Sequence, residues 1–481
     1  MILSKSSALY SCLLLAMGSV LHAQATDATH KEAVDILRQL IEINTTDSVG
    51  SVTAAAKAMQ QRFLAAGFPA ADVHLLGPNP RKMNLVVRYP GATGKKPILL
   101  IGHLDVVEAR RADWTTDPFQ FVTKDGYYYG RGTQDMKESD AILVETLLRM
   151  HREGFKPDRD IILALTADEE GGEYNGVDWL VKNHRDLIDA AYVLNPDGGG
   201  VELRNGKPTI FSVDASEKLY ADYQFVVTDR GGHSSLPRPD NAIYTLAAGL
   251  LSVQKYQFPF ELSAVTRDYF ATESKILSGQ VAEDMKGILQ TPPDPAAIAR
   301  LDQWPEYNST LHTTCVATML NGGHANNALP QRAAAIINCR IFPGHSKEEI
   351  RQQLVKVVDD PKITVQYVGD GGEGQGRVFA VAPDTKALPP PPVNAGVMAA
   401  LHTVAGRMWP GTPIIATMSD GASDGVYTDA AGMPTYGISG IALEASDVRA
   451  HGRDERLPAA SYDRGLDFYY SFLETLTSPQ P

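Results

Sequence analysis

Apolar positions recur at helical spacing near the start of the chain. Val34, Leu37, Leu40 and Ile41 share one face of such a repeat, so residues 30–43 read as an amphipathic helix, and residues 52–66 as a second. Two short apolar runs follow, at 85–89 and 97–101, and both read as strands. Helical spacing returns at 139–153 through Ile142, Leu143, Leu147 and Met150. A strongly apolar strand is predicted at 161–165, a helix near 176–185 and another strand at 191–194. Strands that alternate with helices and are themselves almost continuously apolar predict an α/β domain whose sheet is covered on both faces.

The texture changes after residue 208. A strand with alternating apolar positions at 220–227 is followed by a helix at 240–254 and strands at 313–320 and 333–341. A helix at 347–358 and a strand at 363–368 complete the series. This β-α-β-β-α-β order predicts a two-layer α+β module of the ferredoxin-like kind. Residues 258–310 form a Pro-punctuated insertion within it. Residues 369–394 hold a Gly-rich run and four consecutive prolines, Pro389 to Pro392, and read as a linker. The α/β texture resumes with a helix at 395–408, a strand at 414–417 and a helix near 460–476. The predicted plan is therefore a first domain in two parts, 26–208 and 395–481, with a second domain, 209–368, inserted between them.

The first 25 residues stand apart. Lys5 is the only charge before Asp27, an apolar run follows it, and Ala23-Gln24-Ala25 makes a small-x-small site. This is the layout of a secretory signal peptide at 1–25, and no later apolar run is long enough to span a membrane. The expectation is an exported protein, periplasmic or secreted, free of the membrane once the leader is removed. Beyond the leader the only cysteines are Cys315 and Cys339, on two strands predicted to be neighbours. They are read as two buried free thiols, with a cross-strand disulfide as the alternative in an oxidising compartment.

Composition narrows the function mainly by exclusion. The chain has 481 residues, 43% hydrophobic and 21% charged, with a formal net charge of −13. That is a globular mix, and the acidic balance argues against a nucleic-acid partner. No P-loop and no strand-linked G-x-G-x-x-G is present.

The chemistry sits at predicted strand ends. Gly102-His103-Leu104-Asp105, Asp168-Glu169-Glu170-Gly171-Gly172 and Asn195-Pro196-Asp197-Gly198 each follow an apolar run, and Gly130-Arg131-Gly132-Thr133-Gln134-Asp135 precedes a helix. Open α/β sheets bind ligands beyond the carboxyl ends of their strands, so these segments should converge. A fifth segment, Ala450-His451-Gly452-Arg453-Asp454-Glu455-Arg456, lies far downstream. Several carboxylates in one place repel each other unless a cation neutralises them. Two imidazoles among them suit zinc, with cobalt or manganese as other candidates. A carboxylate can bridge two ions, and of the adjacent Glu169 and Glu170 one can ligate while the other carries protons. Asp105, two residues beyond His103, can hold the imidazole in its ligating tautomer.

Taken together these segments resemble the di-zinc metallopeptidase family of aminoacylase, glutamate carboxypeptidase, succinyl-diaminopimelate desuccinylase and the carnosine dipeptidases. Further matching text is Trp114-Thr-Thr-Asp-Pro-Phe119, Gly231-Gly-His-Ser-Ser235, Asn327-Ala-Leu-Pro330 and Gly421-Ala-Ser-Asp424. The resemblance implies a three-layer αβα zinc-peptidase-like catalytic domain with an inserted lid that often also dimerises. It implies that His103 and Asp197 bind one Zn2+, that Glu170 and His451 bind the other, and that Asp135 bridges them. Glu169 would be the general base and Asp105 would orient His103. His233 matches a lid histidine that polarises the scissile carbonyl, commonly in the partner subunit of a homodimer. Asn327 and Arg340 match lid positions that contact the substrate. A cis peptide after the bridging aspartate, here Asp135-Met136, is also implied.

One position departs from the pattern. Residue 197 is Asp, as in the dipeptidase and aminopeptidase branches, where many carboxypeptidases and deacylases of the family have Glu. The insertion at 258–310 resembles carboxypeptidase S-like and dipeptidase members. The expected activity is hydrolysis of dipeptides or short peptides, with N-acyl-amino-acid deacylation on the same site as the alternative. A non-catalytic peptide-binding protein is the reading from another class, and the completeness of the ligand set speaks against it.

Overall fold

In the central strands, alternate residues enter two different cores. Leu85, Val87, Ile98, Leu100, Ile161, Leu163 and Leu165 belong to one buried cluster, while Val86, Leu99, Ile101, Ile162 and Ala164 belong to another. A strand sends successive side chains to opposite faces, so continuous apolar runs are what a sheet covered on both faces requires. Each such side chain withdrawn from water contributes about 1.5–3 kcal/mol. The computed structural model describes residues 26–369, 377–384 and 393–479. The leader read at 1–25, most of the Gly-rich run and Pro389 to Pro392 lie outside the described residues.

The larger sheet has ten strands. Its order is Val73–Leu76, Asn84–Tyr89, Arg159–Thr166, Lys95–His103, Val193–Asn195, Thr435–Gly437, Lys207–Glu217, Gly200–Arg204 and Ala442–Glu444, and Ile414–Ser419 also pairs with Lys207–Glu217. The four strands from Arg159–Thr166 to Thr435–Gly437 run parallel, so their carboxyl ends share one edge. One face is covered by Asp27–Glu42, Val52–Ala65, Lys137–Glu153, Ala395–Met408 and Ala459–Thr477, and the other by Gly176–Asn183 and Arg185–Ile188. This larger domain is thus three-layered αβα.

The second sheet is antiparallel, in the order Thr314–Gly322, Arg332–Ile341, Leu219–Thr228, Ile363–Val368 and Val378–Phe379. Helices Ala242–Lys255 and Lys347–Val358 cover it over a core of its own. This is the expected βαββαβ module. The change from one sheet to the other falls at Lys218 rather than at 208, because Lys207–Glu217 continues the large sheet through its pairing with Gly200–Arg204 and Ile414–Ser419.

Two other readings need correction, and the structure of the insertion, left open by the sequence, is now seen. Cys315 and Cys339 are directly paired across the sheet and form a disulfide, not two free thiols. The insertion holds four helices, Ala264–Ile276, Gln280–Ile288, Pro295–Leu301 and Pro305–Leu311, around a small core of Phe270, Met285, Ile288, Ala297, Leu301 and Leu311. The segment 377–384 is not a free linker. Val378–Phe379 extends the antiparallel sheet, and Ala382, which is buried, donates its N–H to Glu348 Oε2 at 2.8 Å. No helix among the described residues is long and apolar enough to cross a membrane.

Candidate metal centre and active-site cleft

The strand Lys95–His103 ends on the buried His103, at the edge that the parallel strands share. The turns after Arg159–Thr166 and Val193–Asn195 bring Glu169, Glu170 and Asp197 to the same edge. His103 Nε2 lies 3.1 Å from Asp135 Oδ1, 3.8 Å from Asp197 Oδ1 and 3.9 Å from Glu169 Oε2. His451 Nε2 lies 2.9 Å from both Asp135 Oδ2 and Glu170 Oε2. The ligand atoms fall into two groups, His103–Asp135–Asp197 and Asp135–Glu170–His451, each within 4.8 Å, with Asp135 common to both. The Asp135–Met136 peptide is cis, as the resemblance implied.

The donors are prepared for cations. His103 Nε2 and Asp135 Oδ1 are shielded from solvent and, although 3.1 Å apart, are not aligned for a good hydrogen bond with each other or with any other group. Such orphaned atoms are costly unless something binds them. Burial alone would lower the His103 imidazole, yet the carboxylates of Asp135, Asp197 and Glu169 outweigh it and hold it well above its usual value. Hydrogen bonds to Asp135 and Glu170 raise His451 to about 10. Burial pushes Glu169 well above the ordinary carboxylate range, His103 opposes this, and Asp197 and Asp424 push further upward. Two nitrogen donors among carboxylates suit a pair of divalent ions.

Asp105 does something other than the spacing suggested. Its carboxylate is 3.8 Å from His103 Nδ1, whereas its backbone oxygen is at 3.1 Å. The carboxylate instead accepts the backbone N–H groups of Glu169 at 3.2 Å and Glu170 at 3.0 Å. The main chain orients the ring, and the side chain clamps the Glu-Glu turn.

Several residues that shape the site went unassigned from sequence. Glu455 is buried and accepts from Arg131 Nη1 at 2.5 Å, Gly132 N at 3.2 Å and Gln134 N at 2.6 Å. Arg131 Nη2 in turn donates to Gly452 O at 3.0 Å and His451 O at 3.3 Å. This pair joins the loop bearing Asp135 to the segment bearing His451. Gly132 is needed in that loop: its φ is +93°, and a Cβ there would meet Lys137 Cδ at 2.9 Å. Lys82 forms a buried ion pair with Asp168. Asn175 Nδ2 donates to Asp424 Oδ1 at 2.7 Å and Asp168 O at 3.2 Å. Asp214 accepts from Gly199 N at 3.0 Å and Thr417 Oγ1 at 2.6 Å, fixing the turn beyond Asp197. Both halves of the Arg131–Glu455 pair lie inside the quoted motifs, which was the available signal.

A cleft of about 280 Å³ opens on Asp135, Glu169, Glu170, Asp197 and His451, and Arg340 from the inserted domain lines it. Among the residues lining it, no hydrocarbon side chain is larger than that of Ala422. His233 and Asn327 are not among them. They sit together on an exposed ladder, where Gly232 and His233 pair with Leu329 and Ala328, and Ser234 N donates to Asn327 O at 3.0 Å.

Comparison with known proteins finds a matching family model and similar folds. The model of Peptidase family M20/M25/M40 matches residues 99–475. The chain is 28% identical over 433 residues to the Probable carboxypeptidase S-like 2 of Dictyostelium discoideum, covering 86% of this chain and 78% of that protein. It is 25% identical over 394 residues to the human N-fatty-acyl-amino acid synthase/hydrolase PM20D1, covering 80% and 75%. Among solved structures, the M20 family metallo-carboxypeptidase Sso-CP2 of Sulfolobus solfataricus superposes with a TM-score of 0.66 at 17% identity, over 92% of this chain and 99% of that one. The Bacillus subtilis YXEP protein, a dinuclear metal binding peptidase, superposes with a TM-score of 0.57 at 10% identity, over 93% and 98%.

Proposed function

The chain belongs to peptidase family M20/M25/M40, and on that premise we propose that it is a dinuclear zinc hydrolase that cleaves the amide bond of dipeptides or short peptides. Members of this family are metal-dependent peptidases and amidohydrolases. The observation that carries the reading is the pair of ligand groups sharing Asp135, with Glu169 beside them. His103 and Asp197 would hold one ion and Glu170 and His451 the other, with Asp135 common to both. When bound, the ions supply Lewis acidity that polarises the carbonyl and acidifies water.

The remaining steps belong to the protein. Glu169 accepts the proton of the attacking water and delivers it to the departing amine. Asp105 fixes the backbone of Glu169 and Glu170 through their N–H groups. Arg340, at the cleft wall, would bind the polar end of the substrate.

N-acyl-amino-acid deacylation remains the second reading because of the resemblance to PM20D1. The cleft favours peptides, since its lining offers no large apolar side chain for a fatty chain. A zinc-loaded protein should turn over dipeptides faster than N-acyl amino acids, and Glu169→Ala should retain metal while turnover falls about 1000-fold. Hydrolysis of neither class would favour a peptide-binding protein instead.

Export and pairing complete the proposal. The Cys315–Cys339 disulfide suits an oxidising compartment. Mass spectrometry of secreted protein should find the amino terminus at residue 26. His233 would act on the cleft of a second copy, joined through the exposed edge strand that carries Val316, Met319 and Leu320. Light scattering should then give a dimer, and a monomer with full activity would remove that role.

A further inference from the structure

On the antiparallel sheet of the inserted domain, alternation along each strand sorts the side chains between two faces. Ala221, Tyr223, Ile337 and Cys339 are buried in the core beneath the two covering helices. Their sequence neighbours Tyr220, Asp222, Asn338 and Arg340 therefore stand on the opposite face. The register sets Tyr220 directly across from Arg340, and Asp222 across from Asn338. The four side chains form one connected patch. Arg340 Cζ lies over the Tyr220 ring, 4.9 Å from its centroid. Tyr220 Oη donates to Asp222 Oδ2 at 2.7 Å, and Asn338 Nδ2 donates to Asp222 Oδ1 at 2.8 Å.

Arg340 is the only Lys or Arg among the described residues lining the cleft, and Tyr220 does not line it. The arginine makes no hydrogen bond and no ion pair with any described residue. Asp420 feels its charge without pairing with it, and Asp420 lies 3.9 Å from Lys218 Nζ instead. The backbone under Arg340 is fixed by the ladder and by the disulfide of its neighbour Cys339, so the freedom that remains is in its side chain. We propose that Tyr220 is a positioning residue, whose ring, anchored by Asp222 and Asn338, holds the Arg340 guanidinium at the cleft wall with its N–H groups open to a carboxylate of the substrate.

The proposal rests on the amide-hydrolase reading above, with Arg340 at the polar end of the substrate, and adds the residue that sets where that contact falls. A free arginine side chain loses rotamer entropy when a ligand fixes it. A ring beneath the guanidinium removes part of that freedom beforehand, and it takes up none of the N–H donors. The bond from Tyr220 Oη to Asp222 draws negative charge towards the ring, which strengthens its attraction for a cation above it. Tyr220 reaches the substrate only through Arg340. Its loss should therefore weaken binding of the carboxylate and leave the chemistry at Glu169 and the metal ligands as it was.

Ala-Leu and Ala-Leu amide, which differ only in the terminal carboxylate, test it with the zinc-loaded full chain and released alanine as the readout. The wild type should favour the acid by about 10-fold or more in kcat/KM. That preference is a ratio within one preparation, so a partly folded sample does not change it. Tyr220→Leu should shrink it at least about 3-fold, through a higher KM for the acid at unchanged kcat. Tyr220→Phe keeps the ring and should stay within about 2-fold of the wild type. Arg340→Ala should abolish the preference, and adding Tyr220→Leu to it should change nothing further. An undiminished preference in Tyr220→Leu overturns the positioning role while leaving the hydrolase intact. So does a loss in Tyr220→Phe as large as in Tyr220→Leu, or an equal effect of Tyr220→Leu with and without Arg340. A wild type indifferent to the carboxylate overturns it too, since Arg340 then has nothing to be positioned for. Failure to cleave either substrate overturns the hydrolase reading instead.

Discussion

Glu455 tests how the centre is held. Replacing it with Ala removes one carboxylate and strands three donors: Arg131 Nη1, Gly132 N and Gln134 N. The Arg131 side chain is only 3% exposed, and it would keep two backbone carbonyls and the Trp114 ring, 5.2 Å from its Cζ. Breaking a buried ion pair from one side costs about 3–5 kcal/mol. The partners left to Arg131 place Glu455→Ala near the lower end, about 3 kcal/mol. Burial pushes the Glu455 carboxyl up to about 7 against the pull of Arg131, so desolvation offsets much of the pair's attraction. Replacing both residues, Arg131→Met with Glu455→Leu, should therefore recover about 1–2 kcal/mol of the loss, with Gly132 N and Gln134 N still unpartnered. Metal binding separates from stability. The loop they fix carries Asp135, which belongs to both ligand groups, so both variants should bind zinc at least about 10-fold more weakly. Urea unfolding of the metal-free protein measures the first quantity and calorimetric zinc titration the second. A loss below about 1 kcal/mol in Glu455→Ala, or wild-type zinc affinity in both variants, would refute the reasoning.

The inserted domain and the sheet edge give three further tests. Arg351 holds Glu348 through two bonds of 2.7 Å, and with the Ala382 N–H it lowers the carboxyl to about 2. A depressed carboxylate stabilises above its unfolded pKa and loses that contribution as pH falls from about 4.5 towards 2. The stability difference between wild type and Glu348→Gln should accordingly shrink by about 2 kcal/mol between pH 6 and pH 3, and a difference that does not change with pH would disprove it. Reduction of Cys315–Cys339, which lie 24 residues apart, should cost about 3 kcal/mol through freed chain entropy; equal unfolding midpoints with and without reductant would contradict this. In Gly102→Ala the new Cβ would collide with Asp140 Oδ1 and press on Met136 Cε at 3.3 Å, costing about 1–3 kcal/mol in thermal unfolding, and an unchanged midpoint would show that this layer yields freely.

The centre was readable where residue type and local position carry the chemistry together. His103, Glu169, Glu170 and Asp197 each follow a buried strand, and parallel strands place their ends on one edge whatever the rest of the chain does. Glu455 could not be assigned in the same way, because its partners lie more than 300 residues away and nothing in its own segment names them. Strands as short as Thr435–Gly437 and Ala442–Glu444 show no period to detect. In the insertion no element was assigned from sequence; Pro295 and Pro305 begin helices there, where a missing N–H costs nothing.

Asp105 shows how a correct residue can carry a different role. A histidine and an aspartate two apart suggest a carboxylate behind the ring, but that argument assumes the side chain turns back on its own strand. Here the chain leaves the strand directly after His103, so the Asp105 carbonyl faces Nδ1 and the carboxylate reaches the neighbouring turn. There it receives two consecutive N–H groups, from the proposed base and from the proposed ligand. One buried carboxylate thereby fixes the spacing between Glu169 and Glu170. That spacing decides whether one glutamate can ligate while its neighbour stays free to carry a proton, and the division of labour read from the Glu-Glu pair depends on Asp105 as much as on the pair itself.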